Sequence, residues 1–259
     1  MVLQACLHGD CLELMKTYPD KCIDLFLCDL PYGCLTQKKG CVPYGRKELS
    51  PNSAGCPWDI KIDLVAFWLQ VKRLCKNDKT PVLMFCNTRF GNDLINSNPD
   101  WFRYDLVWNK NCGTNFLLAN KQPMKSHEMI YVFSKKGTFY NRIDMPVEGK
   151  GAYYYQPYNR KGNYCYAKNI IIEGVTKNDN TRCPLSVINF QRTQSKLHPT
   201  CKSVELYKWL IERYSNEGDM VLDPTAGSFN SGRACQELNR HYIGMEMDEK
   251  FYNANKLDA

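Results

Sequence analysis

Two short apolar runs, one near each end of the chain, both close on an acid and a tight turn. Near the head, Ile23-Asp24-Leu25-Phe26-Leu27-Cys28 reads as a buried strand and runs directly into Asp29-Leu30-Pro31-Tyr32-Gly33. Near the tail, Val221-Leu222 runs into Asp223-Pro224-Thr225-Ala226-Gly227-Ser228, and a helical pattern follows. Between and around them, strand-like runs at residues 3–7, 81–86, 104–108, 129–133 and 241–247 alternate with helical spacing at 10–16, 63–75, 90–96, 203–214, 231–239 and 249–257. That alternation predicts an α/β protein built on a mostly parallel sheet with helices on both faces.

Two stretches break the pattern. Residues 34–57 are rich in Gly, Pro, Cys and Lys without periodicity and read as a long loop. Residues 139–190 carry Tyr140, Tyr153, Tyr154, Tyr155, Tyr158, Tyr164 and Tyr166 among Lys, Arg, Asn and Gly, and Ile170-Ile171-Ile172 is the best strand among them. The expected organisation is therefore a first half over 1–136, an inserted segment over 137–195, and a second half of the same domain over 196–259.

Charge separates the insert from the rest. The net charge is +7, but residues 110–202 hold 15 Lys+Arg against 5 Asp+Glu, a local +10, which leaves the remainder at −3. A nucleic-acid-reading segment shows such asymmetry, as does a solvated basic surface. No apolar run approaches the ~18 residues of a membrane span, and the N-terminus lacks a basic-then-apolar signal pattern, so a cytoplasmic protein is expected. The 14 cysteines contain no C-x-x-C pair. Cys34, Cys41 and Cys56 share one loop but need a fourth ligand to hold zinc, and Cys28, Cys75 and Cys86 lie in apolar patterns. Reduced thiols packed as small hydrophobes are expected, with no metal.

The two turns carry different chemistry. Gly227 lets the backbone approach a ligand, and Glu246, closing the next strand, can accept both hydroxyls of a ribose. A G-x-G-x-x-G fingerprint is absent, which disfavours nicotinamide cofactors. At the other turn, the Asp29 carboxylate and the Leu30 carbonyl can accept the two hydrogens of an exocyclic amine, which frees its lone pair. Pro31 stiffens the turn, and Tyr32 offers a stacking face. A base inside a duplex reaches such a site only when flipped out, at a cost of a few kcal/mol.

Together the turns resemble the signature motifs of β-group amino-group DNA methyltransferases, with Asp29, Leu30, Pro31 and Tyr32 as the catalytic motif. The resemblance covers nearly the whole chain, including Pro57-Trp58-Asp59, residues 105–110, residues 116–121 and Ser126-His127-Glu128. It implies a Rossmann-like S-adenosylmethionine-dependent fold with circularly permuted motif order, catalytic half first and cofactor half last. It also implies S-adenosyl-L-methionine as cofactor, held by Asp10, His198, Pro199, Thr200, Asp223, Pro224, Gly227, Ser228, Glu246 and Asp248. The family pattern has Pro where Leu30 stands, Phe at Thr225 and a second Gly at Phe229, so a changed cofactor pocket is expected around Phe229. His127 and Glu128 are expected to be structural.

The function this resemblance implies is methylation of adenine N6 in double-stranded DNA, without a covalent enzyme intermediate. The insert would be the target reader, and Lys110, Lys121, Lys125, Arg142, Arg160 and Lys161 the DNA contacts. Methylation of the cytosine N4 amine, an RNA substrate, and a non-catalytic nucleic-acid-binding protein are the alternatives. A homodimer is left open, as is a paired restriction endonuclease.

Overall fold

The computed structural model describes residues 3–33, 59–114, 116–146, 181–192 and 201–257, and the backbone alone of 158–164 and 167–174. The chain divides into two compact units, one of Met1–Asn141 with Ser186–Ala259 and one of Arg142–Leu185.

The larger unit begins with β1 (Gln4–His8), α1 (Cys11–Lys16), β2 (Leu25–Cys28), α2 (Leu64–Leu74), β3 (Val82–Cys86) and α3 (Thr88–Ser97). The hairpin strands β4 (Phe102–Thr114) and β5 (Lys125–Phe133) follow. The smaller unit holds β6 (Met145–Pro146), β7 (Tyr158–Tyr164), β8 (Ala167–Gly174) and β9 (Thr181–Arg182), paired antiparallel as β6 with β9 and β7 with β8. The chain then returns through β10 (Val187–Asn189), α4 (Val204–Tyr214), β11 (Met220–Asp223), α5 (Asn230–Glu237), β12 (His241–Glu246) and α6 (Glu249–Asn255).

Among the described residues, eight strands form the main sheet in the order β1-β12-β11-β2-β3-β5-β4-β10. Only the β3–β5 and β5–β4 pairings are antiparallel. β10 lies inside the stretch read as an insert, yet it pairs parallel with β4, Ile188 opposite Trp108. Three residues are too few to show a period in the sequence.

Alternation along β2 sorts the core. Leu25 and Leu27 face a cluster with Phe85, Trp108, α4 and α5, whereas Phe26 and Cys28 face one with α1, α2, α3 and Phe67. Both faces are thus covered, which is why β2 and β3 are buried along their whole length. Cys28, Cys75 and Cys86 are buried free thiols, as their apolar surroundings require. Cys34, Cys41 and Cys56 lie outside the described residues.

Helix starts are fixed by short polar side chains. Asp10 accepts from Leu12 N (2.8 Å), Asp63 from Val65 N (2.8 Å), and Asp248 from Lys250 N (2.9 Å). Each such cap typically stabilises its helix by ~1 kcal/mol. Asp10 and Asp248 also sit where β1 and β12 end, so capping holds two acids at one edge of the sheet.

Candidate active site

Chain order reverses between β2 and β11, which lie side by side although they are far apart in sequence. Such a switch point opens a crevice at the carboxyl ends of the strands. Here it forms a cleft of about 630 Å³ lined by Asp10, by Asp29, Leu30, Pro31 and Tyr32, by residues 224–228, and by Glu246 and Asp248. The two turns at opposite ends of the chain therefore face one space.

At the β2 end, the charged groups are paired with one another. Asp29 accepts from the Tyr32 hydroxyl (3.0 Å) and, on its other oxygen, from the Lys202 ammonium. Lys202 is buried, 3% exposed at its side chain, with its Nζ 4.6 Å from the centre of the Phe85 ring. Burial opposes its charge, but Asp29 and then Glu128 outweigh burial and raise its pKa, so it stays an ammonium. Glu128 lines the same cleft and forms an ion pair with Lys110. Burial works against its charge too, yet Lys202 and Lys110 prevail and lower its pKa. The row Asp29, Lys202, Glu128, Lys110 thus alternates in sign.

The backbone of this turn is held as well. Gly33, at φ +66°, donates its N–H to buried Asp59 (2.8 Å). Leu30 is buried at 1% exposure. The Tyr32 ring stacks on Phe90 at 5.2 Å, so one of its faces is already covered.

At the β11–β12 end, the acids are held by backbone N–H groups instead. Glu246 accepts from Gly227 N on one oxygen and from Asp248 N on the other, both at 2.8 Å. Its pKa is raised, mainly by burial. Gly227 adopts φ +52°, a conformation glycine reaches without steric cost. Asn255 donates to the Gly227 carbonyl (3.2 Å), and Asn230 donates to the Lys202 carbonyl (2.7 Å), tying the segment before α4 to the turn. Cys201 donates to Ser228 Oγ (3.2 Å), a further tie between the two.

The structure departs from the expected site at several residues. Asp223 does not line the cleft: its carboxyl is buried, accepting from Thr225 N (3.1 Å) and Ser231 Oγ (2.5 Å). Burial pushes that carboxyl up to about 7. Asp223 therefore shapes the turn from behind. Phe229 does not line the cleft either. It is fully buried against Tyr252 and holds a left-handed φ of +54°, the geometry a glycine would take there. Lys110, expected on phosphate, is taken up by Glu128 and lies 5.1 Å from the centre of the Trp108 ring. Glu128, expected to be structural, is a cleft residue.

The remaining expected DNA contacts are scattered. Lys121 is exposed and Lys125 half-buried at the start of β5. Exposed Arg142 is engaged by Asp144 (2.5 Å) in the smaller unit, and Arg160 and Lys161 lie on β7, whose backbone alone is described. His198, Pro199 and Thr200 lie outside the described residues.

Sequence reasoning missed Lys202 and Glu128 as parts of the site. The signal for Lys202 was present in His198-Pro199-Thr200-Cys201-Lys202, a strongly patterned segment that ends on a lysine just before an apolar helix.

A family model described as DNA methylase matches residues 23–257. The chain is 28% identical to the type II methyltransferase M.HinfI of Haemophilus influenzae, over 96% of this chain and 66% of that protein. It is 26% identical to the DNA adenine methyltransferase YhdJ of Escherichia coli, over 95% of this chain and 79% of that one. It thus spans about two thirds to four fifths of the length of these relatives. Among solved structures, an M1.HpyAVI–SAM complex superposes with a TM-score of 0.57 at 19% identity over 97% of both chains. The cytosine-N4-specific PvuII DNA methyltransferase gives 0.63 at 15% identity, over 97% of this chain and 84% of that one. At such identities the likeness establishes the fold.

Proposed function

The chain belongs to the DNA methylase family, and from that premise we propose that it methylates the N6 amine of an adenine flipped out of duplex DNA, with S-adenosyl-L-methionine as donor. The observation that carries this reading is the single cleft shared by the Asp29 and Gly227 turns. The named activity of the E. coli relative on adenine supports the choice of base. We further propose that residues 137–195 read the target sequence and that the protein works in the cytoplasm. No helix among the described residues is long and apolar enough to cross a membrane.

The residues present fit the cofactor. Its ribose needs acceptors, and Glu246 has lone pairs left after two backbone N–H groups are satisfied. Its net positive methionine portion suits a rim that carries Asp10, Glu246 and Asp248. The Thr225 hydroxyl, in the turn that lines the cleft, is buried with no hydrogen-bond partner among the described residues, a group in need of a ligand atom. When bound, the sulfonium supplies an electrophilic methyl for in-line transfer.

The protein's share is positioning. Asp29 accepts a hydrogen of the target amine and so raises the availability of the nitrogen lone pair. The Lys202 ammonium fixes the carboxylate in place, and the free face of Tyr32 stacks on the base. Methyl transfer leaves the amine with a surplus proton, which Asp29 is placed to take and pass to water.

The test is incubation of the full chain with duplex DNA and tritiated donor, followed by digestion to nucleosides. Label in N6-methyladenine is expected. Label in N4-methylcytosine would replace the target base, and stronger labelling of RNA in direct competition would replace the polymer. A folded chain that binds the donor and labels neither base would overturn the reading.

A further inference from the structure

The β4–β5 hairpin reaches past the cleft. Glu128 on β5 lines the cleft and pairs in register with Trp108, yet β4 continues to Thr114, which pairs with Lys125. Lys125 lies three residues before Glu128, so at roughly 3.3 Å per residue the hairpin extends about 10 Å past that point, with a bulge in β4 between Asn109 and Thr114. A hydrogen-bonded helical turn, Phe116–Leu118, closes the tip: Ala119 N donates to the Phe116 carbonyl (2.9 Å) and Lys121 N to that of Leu118 (2.8 Å). Met124 packs over Gly113 at the neck, so closely that a Cβ on the glycine would lie 2.6 Å from the methionine methyl. The tip is an internally bonded structure, and it holds two large apolar side chains outward. Phe116 is 76% and Leu117 75% exposed.

Charge narrows what the tip could meet. Residues 111–127 contain no Asp or Glu. Lys110 is engaged by Glu128, whereas no ion pair is formed by Lys121 or Lys125 among the described residues. Two copies of this chain meeting tip to tip would bring lysines against lysines. A polyanion with apolar surface between its charges fits better, and stacked bases between phosphate rows have that composition.

We propose that the Phe116-Leu117 tip is a wedge that enters the duplex beside the target base and occupies the space the base leaves when it swings into the cleft, with Lys121 and Lys125 on the flanking phosphates. This rests on the proposed DNA methylation and adds to it the element that opens the helix. β5 carries both Glu128, which lines the cleft, and Lys125, at the neck of the tip, so the tip belongs to the Glu128 side of the cleft. Unstacking a base step costs a few kcal/mol, and apolar wedges offset that cost in proteins that kink DNA.

The experiment uses the full chain with the double substitution Phe116→Ala and Leu117→Ala, and a separate Phe116→Trp variant. For the double variant, methylation of duplex DNA is expected to fall about 10- to 100-fold, with heat-denatured DNA affected less than threefold and donor binding unchanged. For Phe116→Trp, the added tryptophan emission relative to wild type is expected to be quenched by duplex DNA and not by heparin. Equal losses on duplex and denatured DNA, or no quenching by DNA, would overturn the wedge while leaving the methylation reading intact. A wild-type chain that labels no base would instead defeat the methylation reading itself. Conversion of a dimer to a monomer by the double substitution, with duplex methylation unchanged, would make the tip a contact between copies and also overturn the wedge.

Discussion

The two ends of the cleft hold their acids by different means. At the β2 end, Asp29 and Glu128 are balanced by Lys202 and Lys110, side chain against side chain. At the β11–β12 end, Asp10, Glu246 and Asp248 accept from backbone N–H groups, and among the described residues none of the three forms an ion pair. A backbone N–H positions a carboxylate without neutralising it. The row Asp29, Lys202, Glu128, Lys110 is therefore close to neutral, whereas the three acids at the other end carry negative charge that no ion pair among the described residues offsets. A neutral end suits an uncharged base, and a negative end suits a cationic donor. The difference matches the division of labour proposed for the site.

The sharpest test of that division is Asp29→Ala. Methyl transfer should drop by ~10²–10⁴-fold, while donor affinity, measured by titration calorimetry, changes by less than about threefold. A comparable loss of donor binding would mean that the two ends are not separable.

Lys202→Met tests the balance itself. It leaves the Asp29 and Glu128 carboxylates facing one another across a buried site without the ammonium between them. Breaking a buried pair in this way costs about 3–5 kcal/mol of unfolding free energy, measurable by urea titration. The double variant Lys202→Met with Asp29→Asn removes both charges and should recover most of that stability, but no activity. A fully stable Lys202→Met protein would show that the alternating charges at this end are not what holds it together.

Legibility followed the same boundary. The turns at Asp29 and Gly227 could be read because each is a local pattern on a strand end, and the shared cleft follows from joining β2 and β11 in one sheet. The helices were visible from apolar spacing, as in α2 and α4. Lys202 could not be read as the partner of Asp29, because 173 positions separate them and buried lysines are rare. Lys110 looked like a phosphate contact because charge in sequence does not show its partner, and Glu128 supplies one. Asp223 looked like a ligand contact because a strand-end acid can point forward or back, and only the Thr225 and Ser231 donors decide which.

Asp223 also gives the backbone-held end a pH signature. Its folded carboxyl lies at about 7, above the ordinary 3.8, so between those values the folded protein keeps a proton that the unfolded chain has lost. Unfolding free energy should then fall as pH rises through that window, by on the order of 4 kcal/mol at most, at ~1.4 kcal/mol per unit. Asp223→Asn can keep the local bonds, with Oδ1 accepting from Thr225 N and Nδ2 donating to Ser231 Oγ. The variant should show a flatter stability profile between pH 4.5 and 8 in urea titrations. An unchanged slope would place the pH dependence elsewhere.

Glu246→Gln is the gentlest probe, and it asks whether acceptor count or charge matters at this end. The carboxylate now accepts from two backbone donors, Gly227 N and Asp248 N, one on each oxygen. A glutamine has one acceptor oxygen, so its amide nitrogen would face a backbone N–H, donor against donor. One of the two turns must lose its anchor, at a cost of about 1–3 kcal/mol. Donor affinity should weaken about tenfold, with the turnover rate at saturating donor within about twofold of wild type and DNA affinity unchanged. A fall in turnover larger than the fall in donor affinity would mean that Glu246 reaches across the cleft to the reacting atoms, and the separation between a balanced end and a backbone-held end would fail.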